Sequence, residues 1–192
     1  MRRLHVFRAI HILSLGLWAG GAVFFSFGVA PKIFGYLQKE VPNNPPRELY
    51  KFSPESGRSL AGKIVGAIFP SYFAWQEIAG TVALVTGFLL AWRGRPPDRI
   101  RVILILVACA CVLIQWTWVL PHSTALLDEM DHVQVRSHQV LEEQLRMRFH
   151  FWHGFSQSFN LMTIVAVVVA LAMAGAGESR ATRQEIEPAR TN

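Results

Sequence analysis

Four stretches of the chain stay apolar for long enough to cross a hydrocarbon core, which takes roughly 20 residues of helix. They run from Ala9 to Ala30, Ile64 to Trp92, Val102 to Leu120 and Phe151 to Met173. The pattern predicts an all-α integral membrane protein, a four-transmembrane-helix bundle. The first stretch outruns the ~7 to 15 apolar residues of a secretion signal core, and Pro31 follows its one cleavage-like triplet, Gly28-Val29-Ala30, so it is expected to be retained. Pro31 itself is expected to end or kink that helix. Between helices 1 and 2, Lys32 to Gly57 carries Pro42, Pro45, Pro46 and Pro54 among charges and reads as a polar connection. Between helices 3 and 4, Ser123 to Arg148 sets Asp128, Glu129, Asp131, Glu142 and Glu143 against Leu126, Leu127, Met130, Val133, Leu141 and Leu145. That pattern predicts an amphipathic helical extension. Residues 1–177 form the membrane domain, and residues 178–192 are expected to be a polar, disordered tail.

Polar positions within these stretches single out the chemistry. Glu77 stands about a dozen residues in from Ile64, roughly 18 Å deep and close to mid-bilayer. An acid there costs about 2.5 to 3.5 kcal/mol to insert, so it must face protein or water, find a hydrogen bond or hold a proton. On the fourth helix His150, His153, Gln157 and Asn160 fall within an arc of about 80°, with Ser156 nearby. On the third, Cys111, Gln115, Trp118 and His122 share a face. Matching depths predicts three rungs: His122 with His150, Gln115 with Gln157, and Glu77 with Asn160. On the first helix His11, Ser14, Trp18, Gly21 and Phe25 share the face expected to point inward.

Composition strengthens the membrane reading. Apolar residues make up 52% of the 192 and charged ones only 17%, which sets the chain apart from soluble domains. The net charge of +6 lies at the ends of apolar segments and forms no single patch, so nucleic acid is not an expected partner and the lipid bilayer is. The densest basic cluster is the short turn bearing Arg93, Arg95, Arg99 and Arg101 against Asp98; it places both termini on the cytoplasmic side of the cell membrane. Cys109 and Cys111, two apart on one helix, cannot bridge each other and read as buried filler.

Several short motifs then carry a resemblance: W-x-G-G at Trp18 to Gly21, I-F-P-S-Y-F at Ile68 to Phe73, W-V-L-P at Trp118 to Pro121, and Trp152-His153-Gly154 through Ser156 to Asn160. Together they resemble the transmembrane protein 205-like family, across roughly Arg8 to Met173. The resemblance implies a four-helix membrane protein of unsettled activity, with a loose association with tolerance of metal-containing compounds, and it supplies no catalytic residues. By position it would make His153, Gly154, Ser156 and Asn160 signature residues. The stretch from His11 to Gly21 is also similar to copper-resistance D-like membrane proteins, which would imply metal or haem binding.

Three functional classes follow. The first binds or moves a small solute, or a metal or cationic compound, through an intramembrane polar seam of Glu77, Gln115, His153, Ser156, Gln157 and Asn160. The second is a non-catalytic membrane scaffold or interaction protein, homo-oligomeric through glycine-rich helix faces such as Gly16 with Gly20, Gly62 with Gly66, and Gly80. The third is a haem- or metal-binding redox subunit. No cofactor is expected, although His122, His150 and His153, completed by Glu142 or Glu143, could hold a divalent metal; the competing reading has these histidines bonded to nearby carbonyls. His11 and His153 lie about 20 Å or more apart in depth, too far for a bis-histidine haem. No Ser-His-Asp set, phosphate loop or H-E-x-x-H motif points to an enzyme.

Overall fold

A computed structural model describes residues 2–43, 56–92, 96–135 and 139–186, and among them there is helix and no strand. The helices are α1 (Arg2–Val23), α2 (Ala30–Asn43), α3 (Ser56–Ala91), α4 (Pro96–Ile114), α5 (Leu120–Val135) and α6 (Gln139–Ile186). Wider π-helical turns, Phe24–Val29 and Gln115–Val119, join α1 to α2 and α4 to α5. Four stretches of helix are long and apolar enough to cross a membrane: His5–Lys39, Leu60–Ala91, Arg99–Met130 and Glu143–Ala176. Many of their large apolar side chains point outward, with Leu13, Leu17, Phe27, Ile78, Val85, Leu113 and Val165 exposed. The interior meanwhile holds His11, Gln76, Thr86, Gln115 and Thr163. Lipid as the surrounding solvent accounts for that distribution, since only there is an apolar exterior free of cost.

Pro31 does not end its helix. Inside an α-helix its ring would press on the carbonyl four residues back, and its missing N–H would leave that carbonyl alone. The π turn before it removes the conflict by widening the backbone, and Ala30 N–H reaches back to the Phe25 carbonyl. Pro121 repeats the arrangement two residues after its own π turn, where Leu120 N–H reaches the Gln115 carbonyl. The expected polar connection is therefore helical as far as Asn43 and again from Ser56, while residues 44–55 lie outside the described ones. The extension between the third and fourth spans is helical in α5 and at the start of α6, while residues 136–138 lie outside the described ones. The tail expected from Glu178 onward continues α6 as far as Ile186; residues 187–192 lie outside the described ones.

The chain divides into two compact units, residues 20–75 and residues 1–19 with 76–192. Within residues 20–75, Phe25 stacks on Tyr72 at 4.2 Å and meets Phe69 edge-on at 6.0 Å, while Phe69 stacks on Phe73 at 5.6 Å. A Cβ on Gly21 would run into the Trp75 ring, so only glycine allows that approach.

Within the other unit α4 and α5 pack along α6. Buried Ala166, Ala170 and Ala174, four apart on α6, let the backbones come close. They meet a face of α4 that buries Ile105, Ala108, Cys111 and Val112.

Candidate functional site

Buried hydrogen bonds between spans locate the polar interior of the unit formed by residues 1–19 and 76–192. On α1, His11 and Trp18 stand seven residues apart; on α3, Gly80 and Gly87 do the same. A Cβ on Gly87 would lie 3.0 Å from His11 Cε1, and one on Gly80 would lie 2.9 Å from the Trp18 ring and 3.0 Å from Cys109 Sγ. Each glycine is thus the recess for one large α1 side chain. Thr86 donates its hydroxyl to the Val82 carbonyl at 2.6 Å, so its oxygen accepts from His11 Nδ1–H at 3.0 Å, which fixes the imidazole tautomer at that nitrogen. One turn along α1, Ser14 donates to the His11 carbonyl at 2.9 Å.

The second α1 anchor leads to the site. Trp18 Nε1–H donates to Gln76 Oε1 at 3.0 Å, with both side chains fully buried. Indole can only donate, so this bond dictates which end of the amide faces α1 and leaves Gln76 Nε2 as the free end. That nitrogen is buried and has no partner among the described residues; neither has the buried Oε1 of the next residue, Glu77. Glu77 bears electrostatically on the Cys109 thiol of α4. Gly80, one turn on, is the point where Trp18 and Cys109 converge. An unmet donor and an unmet acceptor therefore occupy adjacent positions where α1, α3 and α4 meet.

A second polar contact joins α6 to the π turn after α4. Ser156 donates to Gln115 Oε1 at 3.3 Å, and Gln115, 2% exposed, leaves Nε2 without a partner among the described residues. Deeper, Cys111 is hydrogen-bonded to Thr163, whose hydroxyl donates to the Phe159 carbonyl at 2.9 Å. Toward the end of the span Trp152 packs edge-on to Trp118 at 5.9 Å and stacks on His122 at 4.9 Å.

These partners differ from the rungs expected from sequence. Of the expected face, Cys111 and Gln115 are buried while Trp118 and His122 are exposed, and α6 presents Trp152, Ser156 and Thr163 to it, about 100° around the helix from the His150, His153, Gln157 and Asn160 stripe. Gln115 meets Ser156, not Gln157, and His122 meets Trp152, not His150. His153 and Gln157 are exposed, and Gln157 Nε2 donates to His153 Nε2 at 3.0 Å within one turn of helix. His153 also stacks on Phe149 at 5.8 Å, His150 is exposed, and Asn160 is half-buried. His122 Nδ1–H donates to the Trp118 carbonyl at 2.7 Å, the structural role weighed against metal binding. Among the described residues no group of three His, Cys, Asp or Glu side chains stands close enough to hold a metal ion. The His122, His150 and His153 set is thus not assembled: His122 bonds within its own helix and stacks on Trp152, while His153 bonds to Gln157 and stacks on Phe149.

Sequence reasoning singled out Glu77 and passed over Gln76, Thr86 and the pairing of Trp18 with Gly80. One signal was available: Gln76, Gly80, Ala83 and Gly87 run at helical spacing along α3, a small-residue face opposite the seven-residue interval of His11 and Trp18. Gly80 serves this contact within the chain, which corrects its assignment to an oligomer face. Cβ atoms on Gly16, Gly20, Gly62 or Gly66 would meet nothing within 4 Å.

No curated protein and no solved structure matches the chain. A family profile described as "Domain of unknown function (DUF4149)" matches residues 13–132, a stretch that holds Trp18, Gln76, Glu77 and Gln115 and stops before the polar stripe of α6. Because that match covers more than half of a multi-pass membrane chain and takes in both partners of the buried Trp18 to Gln76 bond, the protein belongs to the DUF4149 family.

Proposed function

We propose that the protein binds a small solute or cation inside the membrane at Gln76 and Glu77 and allows its passage, without covalent chemistry. The observation that carries this reading is the adjacent pair of unmet buried groups, Gln76 Nε2 and Glu77 Oε1. An unmade buried hydrogen bond costs about 1 to 3 kcal/mol, and chains keep such groups where something else completes them. Acids within membrane spans recur along ion and solute pathways for this reason. Gln115, with its own unmet amide beside Ser156, supplies a further polar step between α6 and the turn after α4. The likeness to the transmembrane protein 205-like family, with its association with tolerance of metal-containing compounds, agrees with passage of a small species. The basic cluster of Arg93, Arg95, Arg99 and Arg101 in the sequence supports a cell-membrane orientation with both termini cytoplasmic.

The test is flux into vesicles reconstituted with purified protein, over a panel of small neutral solutes, small cations and divalent metals. At least one member should enter faster than into empty vesicles, and Glu77→Leu should return that flux to the empty-vesicle level while still reconstituting. No acceleration for any member overturns the reading.

One observation favours a scaffold instead: the open space beside Gly16 and Gly20 on α1, where a second helix could approach. Under that reading Glu77→Leu changes nothing, while Gly20→Leu abolishes co-purification of two differently tagged copies.

A further inference from the structure

We propose that the Gln76 and Glu77 corner takes a small neutral solute bearing a hydroxyl or carboxamide group, in preference to a bare metal or quaternary cation. This rests on the binding site proposed above and narrows its occupant.

The argument starts from Trp18. Its indole N–H holds Gln76 Oε1 at 3.0 Å, so the amide cannot turn round, and the end left over is a donor. Gln76 is fully buried, so water outside the protein does not satisfy that donor. The next residue offers the opposite need, a buried carboxyl oxygen without a hydrogen bond among the described residues. A metal ion or a quaternary ammonium would answer Glu77 but offers no acceptor to the Gln76 N–H, whose deficit would remain. A hydroxyl or carboxamide group carries the acceptor that the Gln76 N–H lacks, together with a donor of the kind that Glu77 lacks. The surroundings agree in chemistry. Among the described residues no group of three His, Cys, Asp or Glu side chains gathers to hold a metal ion, and Glu77 bears electrostatically on the Cys109 thiol.

A Cβ on Gly80 would already lie within 3.0 Å of both the Trp18 ring and Cys109 Sγ, so the helices are close-packed one turn from Gln76, and the probes chosen are molecules of few heavy atoms.

The experiment measures re-swelling of proteoliposomes by stopped-flow light scattering, with glycerol and acetamide as neutral probes and tetramethylammonium and zinc chlorides as charged ones. Wild-type vesicles should re-swell faster than empty ones with glycerol or acetamide and not with the two salts. Gln76→Leu should slow the neutral flux about tenfold, the effect of one lost hydrogen bond. Gln76→Glu keeps an oxygen for Trp18 but replaces the donor with an acceptor, and should slow it to a similar extent. Acceleration by the salts alone overturns the neutral-solute proposal and leaves intramembrane passage standing. Acceleration by none of the four, followed by none from the wider panel, overturns both. Neutral flux that neither Gln76 variant slows, with both variants reconstituted at wild-type levels, overturns the assignment to this corner. Should neither variant fold, the selectivity of the wild type still decides between neutral and charged occupants.

Discussion

Gly80 shows how one missing side chain can organise the interior of a membrane unit. The hydrogen atom at its Cα faces both Trp18 and Cys109, so a methyl group would need one of them to move, and Trp18 is fully buried and tied to Gln76. Gly80→Ala should therefore destabilise the purified protein by about 1 to 3 kcal/mol, the usual cost of overpacking. Gly20→Ala, which meets nothing, should stay within about 0.5 kcal/mol. A shift in detergent unfolding midpoint for Gly80→Ala no larger than for Gly20→Ala would refute the recess. Single residues were partly legible in the sequence. The shared face of His11, Ser14 and Trp18 could be read from spacing, and all three are buried. Gln76 could not, because its importance lies in a bond to a residue 58 positions away, and Glu77 beside it carried the stronger local signal.

Single elements were readable in existence but not in rotation. Four apolar stretches predicted the spans because burial in lipid demands length and apolarity, both local properties. Which side of α6 faces α4 is set by how closely two backbones can approach. Ala166, Ala170 and Ala174 permit a closer fit than the His153 and Gln157 side, whose polar groups satisfy one another along the helix. The π turns are a second feature beyond sequence periodicity. Each holds about one residue more than an α-helix needs for the same rise, and each lies just ahead of a proline. Deleting Thr117 should therefore restore an α-helical register and keep the faces of α4 and α5, whereas deleting Val107 from within α4 should turn everything after it by about 100°. Cysteine labelling at Leu126 and Asp128 in membranes would separate these outcomes. A labelling pattern disturbed equally by both deletions would contradict the role assigned to the π turn.

At the scale of the whole molecule, four spans require the two termini to share a side of the membrane. Reporter fusions at the two ends should both be active in the same compartment, and a split result would mean that one span does not cross. The sequence by itself determined that the protein is helical, that it is built to span a membrane four times, and that an acid lies within its second span. Those properties follow from hydropathy and length, which each segment carries alone. Only the tertiary structure decided that Gln76 is oriented by Trp18, that α6 offers Ser156 and Thr163 in place of its histidine stripe, and that Gly80 is a recess within the chain. Each of these depends on which side chains distant helices bring within hydrogen-bond or van der Waals reach. No periodicity within a single helix encodes that.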